Sequence, residues 1–334
     1  MTHVSLLPLP FVAVMLSLAV AASEPSAPET VVRVGPLSIT RQRYESAMVR
    51  SNVAAIPAEQ QRQAAAATVL EQLVDEALLR LALVEAEIEA DPQAVEAQVA
   101  RLRAEVERRG DDFAAALARS GQDAAALREQ IKLELGMKKF LESRVTPDLV
   151  AGHFDQHRRE LDGSVVRVSH IVLRPDLGRG EQAVADCLAR ATAIRTRILE
   201  GEVTFAAAVK AHSVGPSRRQ DGDLGYIPRH GVAHDEFARQ AFAIAKGDMS
   251  PPFITPSGVH VLRVTDVQPG PLTLARLRPQ IEQLLAQRLI RDTVASGRRG
   301  TTIEYAAGVP HFDPETPADG TAPRRVVVGT AAAR

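Results

Sequence analysis

The sequence predicts an α+β protein: a small antiparallel sheet wrapped by helices, joined to a mainly α-helical domain. Three observations lead there. Long stretches before residue 160 carry apolar residues at three-and-four spacing, the period of a helix with one buried face. Between residues 165 and 267 the elements read β, α, α, β, α, β, β, an order that suits a small antiparallel sheet with helices packed on it. Aromatic residues make up only 4% of the chain and Trp is absent, while alanine is frequent, which suits close helix packing better than an all-β sandwich. At 334 residues the chain is long enough for about two buried cores.

Charge narrows the function classes. Forty Lys and Arg stand against 41 Asp and Glu, so no global field draws the chain to nucleic acid or anionic lipid. The few aromatics also argue against a base-stacking surface. A single cysteine, Cys187, permits no intramolecular disulfide, so an exported form would depend on its core alone.

Taken in order, the chain opens with an apolar run from Val4 to Ala22, broken by Ser5 and Ser17, with Phe11 to Val20 as its centre. Small residues at Ala19-Val20-Ala21 precede Ser23-Glu24-Pro25, the pattern of a cleaved signal peptide over residues 1–22. That reading sends the protein to the periplasm or another extracytoplasmic space. The region before the run lacks Lys and Arg, so the alternative is an uncleaved anchor facing away from the cytoplasm, although Pro8 and Pro10 interrupt it. Residues 23–30 are a flexible spacer rich in Pro, Ser, Ala and Glu. Residues 31–160 then form the N-terminal part of the helical domain. Val31 to Thr40 reads as two short strands about a turn at Gly35-Pro36, and Thr40 caps a helix starting near Arg41. Val69, Leu73, Ala77, Leu81, Val84 and Ile88 form one helical stripe, and Asp91-Pro92 stops that helix and starts the next. Gly110 ends the second helix. Asp123 caps a helix through Leu127, Ile131 and Leu135, and Thr146-Pro147 opens one through Leu149, Val150 and Phe154.

Residues 161–269 make the sheet-bearing domain. Val165 to Leu173 is β-branched and long enough for a central strand. A helix from Glu181 to Glu200 puts Cys187 on its inner face with Val184, Leu188, Ala191 and Ile194, a core position rather than a nucleophile. A short helix over Phe205 to Ala211 follows, then the loop opened by His212-Ser213. Gly222-Asp223-Leu224-Gly225-Tyr226 turns into a short strand, and Asp235 to Ala243 is an amphipathic helix with Phe237, Ala241 and Phe242 inward. Val259 to Val267 is the last strand. Residues 270–309 return to a helix through Leu274, Leu277, Ile281 and Leu285 and a strand at Thr301 to Tyr305, expected to pack on the first domain with Ile303 and Tyr305 near Val32 and Val34. From Pro310 to Arg334 the tail is expected to be disordered.

The ordered set Ser169-His170-Ile171, Gly222-Asp223-Leu224-Gly225 and Ser257-Gly258-Val259-His260 resembles the parvulin peptidyl-prolyl isomerases, and the flanking helical segments resemble the exported SurA- and PrsA-like foldases. The resemblance implies a parvulin-like fold joined to a chaperone domain that holds unfolded exported polypeptides, and an activity that interconverts Xaa-Pro bonds. It assigns His170 and His260 as the paired histidines, Ser257 as the hydroxyl supporting them, and Leu224 and Phe237 as walls of the proline pocket. Val232 falls near a further wall position. His212 stands where an aromatic ordinarily precedes the serine and joins the catalytic candidates; Ser213, that serine, joins the substrate-binding ones. Gly215 occupies the position of the family's Asp or Cys, which leaves open a second reading: a non-enzymatic chaperone whose pocket only binds peptide.

Such chemistry requires no cofactor. Rotation about an Xaa-Pro amide is opposed by a resonance barrier of about 18–20 kcal/mol, and a pocket that desolvates the amide and prefers its twisted form lowers it. The loop after the first strand carries Arg174 and Arg179 split by Asp176, so no phosphate preference is expected. His153 with His157 and His230 with His234 have the spacing of metal-ligand pairs but lack a third ligand, so no metal is expected.

Overall fold

The computed structural model describes residues 29–176, 181–231, 234–313 and 325–328. In chain order the first elements are β1 (Thr30–Val34), β2 (Leu37–Thr40), α1 (Arg41–Arg50), α2 (Glu59–Glu85), α3 (Pro92–Arg108), α4 (Phe113–Arg119) and α5 (Ala124–Arg144). They are followed by α6 (Pro147–Gln156), α7 (Arg158–Leu161), β3 (Val165–Leu173), α8 (Glu181–Leu199), α9 (Phe205–His212), β4 (Asp223–Pro228) and α10 (Asp235–Ala243). The last are β5 (Phe253–Thr255), β6 (Gly258–Gln268), α11 (Leu274–Gly300), β7 (Ile303–Tyr305), β8 (Pro310–Phe312) and β9 (Val326–Val328). Two compact units divide them: Met1–Gly136 with Thr293–Arg334, and Met137–Asp292. The sequence set its boundaries at 160 and 270, whereas residues 137–160 and 270–292 group with the four-stranded sheet.

Capping side chains start α1, α3 and α5 of the first unit, whereas α2 follows Ala58 without one. Thr40 accepts a hydrogen bond from the Arg43 amide, Asp91 from Gln93 with Pro92 at the first helical position, and Asp123 from Ala126, each satisfying an amide that has no partner inside the helix. The stripe read on α2 does not hold to its end. Leu70, Val74 and Leu78 are buried beside Val69, Leu73 and Ala77, but Val84 is 75% exposed and the helix stops at Glu85, short of Asp91. A row taken mostly in steps of four winds around a 3.6-residue helix, so its last members leave the buried face.

The sheet of this unit has the order β2-β1-β7, antiparallel throughout. Ile303 stands opposite Val34 and Tyr305 opposite Val32. Val31, Val32, Val34 and Ile39 pack with Tyr44, Leu70, Val74 and Leu78 of α1 and α2 in one core. A second core gathers Val95, Val99, Phe113, Leu127 and Ile131 of α3, α4 and α5. The expected disordered tail is corrected in part: β8 pairs with β9 through Pro310↔Val328 and Phe312↔Val326, β8 lies on α2, and the His311 ring stacks on Tyr305 at 4.1 Å. The β-branched run at 326–328 supplies a strand that the surrounding Pro, Ala and Gly conceal.

The second unit carries an antiparallel sheet in the order β4-β3-β6-β5, with β3 and β6 central. Alternation along the two central strands separates its faces. Ile171, Leu173, Val259 and Val261 point toward α8 and α9, where Cys187, Ala191, Ile194, Phe205 and Val209 complete a core. Val166, Val168, Leu262 and Val264 point toward Phe237, Ala241 and Phe242 of α10. His170 follows the second set on β3 and His260 the second set on β6, so period two alone puts both rings on the α10 face. Helices α6 and α11 form a further core within the unit, from Val150, Phe154, Leu277, Ile281 and Leu285. No helix among the described residues is long and apolar enough to cross a membrane, and the apolar run of residues 1–22 lies outside them.

Candidate functional site

On the α10 face of the four-stranded sheet lies a cavity of about 280 Å³. Its floor is made by the two central strands. Val172 is the cross-strand partner of His260 and Leu262 the partner of His170, so the two histidines are diagonal neighbours on adjacent strands. Their rings stack with centroids 5.4 Å apart and planes 26° from parallel, and their Nδ1 atoms are 3.4 Å apart. Phe237 stands edge-on to both, at 5.7 Å from His170 and 5.5 Å from His260, and Phe253 stacks on the outer side of His260 at 5.5 Å.

Each remaining ring nitrogen meets a hydroxyl. His170 Nε2 lies 3.0 Å from Ser217 Oγ and His260 Nε2 lies 2.8 Å from Thr255 Oγ1. All four imidazole nitrogens are therefore engaged, and what the rings offer the cavity is face and C–H edge, not a free base. Burial leaves His170 8% and His260 4% exposed. Desolvation lowers both to about 4, with the neighbouring ring's charge adding to the effect on His260, so both are neutral at pH 7.

The glycines hold the loops against β3. Gly222 donates its amide to Ser217 O and accepts from the His170 amide at 2.9 Å. With φ at +82° and an added Cβ 2.4 Å from His170 O, no other residue fits there. Gly258, at φ +137°, has the same relation to Leu173 O. Asp223 points away from the cavity: its carboxylate takes Arg167 at 2.6 Å and the Gly225 amide at 3.0 Å, and that guanidinium keeps its pKa low.

The sequence-derived residues fare unevenly. His170, His260, Leu224, Phe237 and Ser257 all line the cavity, Leu224 on an exposed rim and Phe237 on a buried wall. Ser257 is not the hydroxyl that supports the histidines. Its side chain is exposed at the rim, and its amide donates to Thr255 Oγ1, the group that does hold His260. The turn at Pro256-Ser257 swings Ser257 out of the strand's alternation, while Thr255, last in β5, faces inward. His212 ends α9 half-buried and is not among the cavity's lining residues. Ser213 is buried but ties the loop to β3, its Oγ accepting from the Val172 amide at 3.2 Å. Val232 lies outside the described residues. Reading by sequence missed Thr255 and Ser217; the signals were a hydroxyl five residues before His260 across a tight hairpin, and one two residues after Gly215. His153 and His157 approach to 4.5 Å, but among the described residues no group of three or more His, Cys, Asp or Glu is placed to hold a metal ion.

Comparison with known proteins agrees with this architecture. Residues 170–266 match a family described as a PPIC-type PPIase domain, and residues 1–141 one described as a SurA-like N-terminal domain. A chaperone SurA of Polaromonas sp. is 33% identical over 115 residues, 34% of this chain and 24% of that protein. A foldase protein PrsA of Caldanaerobacter subterraneus subsp. tengcongensis is 30% identical over 142 residues, 41% of each chain. A chaperone SurA of Alcanivorax borkumensis is 28% identical over 256 residues, 72% of this chain and 55% of the relative. The chain thus spans between about a quarter and just over half the length of these relatives. A crystal structure of the peptidylprolyl isomerase PrsA from Bacillus anthracis is 20% identical, with 69% of this chain and 96% of that one covered, at a TM-score of 0.31. The chain thus matches a SurA-like N-terminal domain ahead of a PPIC-type PPIase domain, and it is similar to proteins named chaperone SurA and foldase PrsA.

Proposed function

We propose that the cavity binds an Xaa-Pro segment of an unfolded polypeptide and catalyses its cis-trans isomerisation. The observation that carries this reading is the pair of buried, neutral histidines closed off by Phe237 and rimmed by Leu224. The wall is apolar in character although it contains two imidazoles, because their nitrogens are spent on one another and on Ser217 and Thr255. A proline ring seated against Phe237 and Leu224 brings its amide over this wall, out of water. Loss of hydration costs the planar, resonance-polarised amide more than the twisted one, and each 1.4 kcal/mol of that difference is a factor of about ten in rate. No nucleophile, metal or cofactor enters the step. Arg174 is the single charged side chain among the described lining residues, which supports a site without phosphate preference.

The SurA-like segment, in this reading, holds extended clients while the cavity acts on their prolines, and the apolar start of the sequence supports export from the cytoplasm by a signal peptide. Membrane contact belongs to that segment alone, if it is retained. A second reading is favoured by Gly215: with no acidic or thiol side chain beside His170, the cavity binds peptide without turnover. The deciding experiment is magnetisation-exchange NMR on an unphosphorylated Ala-Xaa-Pro-Phe peptide with the full chain, beside Phe237→Ala and Leu224→Asp. Faster exchange that both variants abolish supports the enzyme. Peptide line broadening without faster exchange supports the binder. No effect on the peptide at all overturns both.

A further inference from the structure

We propose that Ser217 is the positioning residue of the histidine pair, and that Val172 fills the volume from which an acidic or thiol side chain at position 215 would reach it. The relay in this chain is thereby capped by a hydroxyl at each end. The inference deepens the reading of the cavity as a prolyl-peptide site and rests on it for its effect on turnover.

A Cβ built on Gly215 falls 3.4 Å from His170 Nε2, so a short polar side chain at this position would meet that nitrogen directly. The same Cβ falls 2.7 Å from Val172 Cγ1, closer than real Cβ atoms come to their neighbours. Val172 has little freedom to withdraw. Its carbonyl accepts from the Val214 amide at 2.9 Å, its amide donates to Ser213 Oγ at 3.2 Å, and it pairs with His260 in the β3–β6 ladder, next to the end of β3. Gly215 and Val172 are thus complementary: the small residue is required by the large one.

With position 215 empty, Ser217 takes His170 Nε2. Ser217 is 5% exposed and its carbonyl is fixed by the Gly222 amide at 2.9 Å. Proton counting explains why a hydroxyl suffices. Two neutral imidazoles whose Nδ1 atoms face each other need one proton between them, which makes one ring the donor there and the other the acceptor. If His170 donates at Nδ1, its Nε2 is bare and accepts from Ser217 O–H, while His260 Nε2–H donates to Thr255 Oγ1. If His260 donates, Thr255 O–H serves its bare Nε2 and His170 Nε2–H donates to Ser217 Oγ. A hydroxyl both gives and takes, so the chain Ser217–His170–His260–Thr255 is satisfied in either direction. A carboxylate at the Ser217 end would allow only the second.

The test is carried out on the full chain. Nitrogen-15 NMR of the imidazoles at pH 7 reads the tautomers without any peptide, so it stands apart from whether the cavity acts on proline. Wild type is expected to show His170 and His260 nitrogens averaged between the two directions. Ser217→Ala removes the cap and is expected to lock one tautomer on His260 and lower peptide exchange about tenfold, while Ser217→Thr restores the averaging. Should Ser217→Ala fail to fold, Ser217→Cys, a weaker donor of similar size, decides by the same spectra. Gly215→Asp alone is expected to lower the thermal midpoint, and Val172→Ala with Gly215→Asp to recover it with a single tautomer on His170. Unchanged imidazole spectra in Ser217→Ala, or Gly215→Asp folding with an unaltered midpoint, overturns the proposal. Altered tautomers with no prolyl exchange in any form keep the positioning role and refute only the activity.

Discussion

Acid is expected to weaken the unit that carries the cavity, by an amount that follows from the two buried histidines. In the folded chain both titrate at about 4, against 6.5 for a free imidazole. Between those values the unfolded chain holds more protons than the folded one, so stability is greatest above pH 6.5, falls as the pH drops below it, and levels off near 4. At pH 5 each ring accounts for a loss of about 2 kcal/mol relative to pH 7.5, or about 4 kcal/mol for the pair taken as independent. Proton uptake by one ring makes the second harder to charge, which steepens the end of the decline. The assay is a urea titration of the full chain at pH 7.5, 6 and 5, followed by amide signals of β3 and β6, beside His170→Gln and His260→Gln. The wild-type midpoint should fall steadily across this range and each variant should lose about half of the dependence. Imidazole Cε1–H shifts of the two rings should remain flat from pH 7.5 to about 5. A midpoint for either ring near 6.5 would refute the argument that burial holds them neutral.

Other perturbations separate structure from site. Gly222→Ala forces a side chain to within 2.4 Å of His170 O at a positive φ; a loss of about 3 kcal/mol or more is expected from denaturant midpoints, with the His170 amide losing protection from exchange. Phe237→Ala removes a ring packed edge-on against both histidines and should cost about 3–5 kcal/mol as well as peptide binding. Leu224→Asp alters a rim side chain that is 40% exposed, so stability should change by no more than about 0.5 kcal/mol while peptide affinity measured by titration calorimetry falls at least tenfold.

Much of the second unit was legible because its strands carry their own signature. Val165 to Leu173 is buried on both faces from Val168 onward and five of its nine residues are Val or Ile, so it reads as a strand, and α10 was bounded to the residue by Asp235 and Ala243. The histidines were visible only through resemblance, since they are ninety positions apart and nothing local announces that a shared ladder makes them diagonal neighbours. Ser257 and Thr255 were exchanged because alternation through a hairpin fails at the turn itself, where Pro256-Ser257 redirects the chain. The space shared by Gly215 and Val172 was illegible for a stronger reason: a missing side chain is defined by its neighbours in three dimensions, and the residue that replaces it comes from another strand. On α2, periodicity was read correctly as a helix and incorrectly as a straight stripe, because steps of four outrun the turn.

The pairing of β7 with β1 sets a clock on biosynthesis. Residues 137–292 are continuous, so that unit has all its strands as soon as β6 and α11 have emerged, whereas β1, made early, has no neighbour on one edge until residues 303–305 arrive. Throughout that interval a Val-rich strand offers unpaired amides and carbonyls to whatever is nearby, another nascent copy included. The chain is, by its own topology, exposed between the making of β1 and the arrival of β7 to the hazard of an unprotected strand edge.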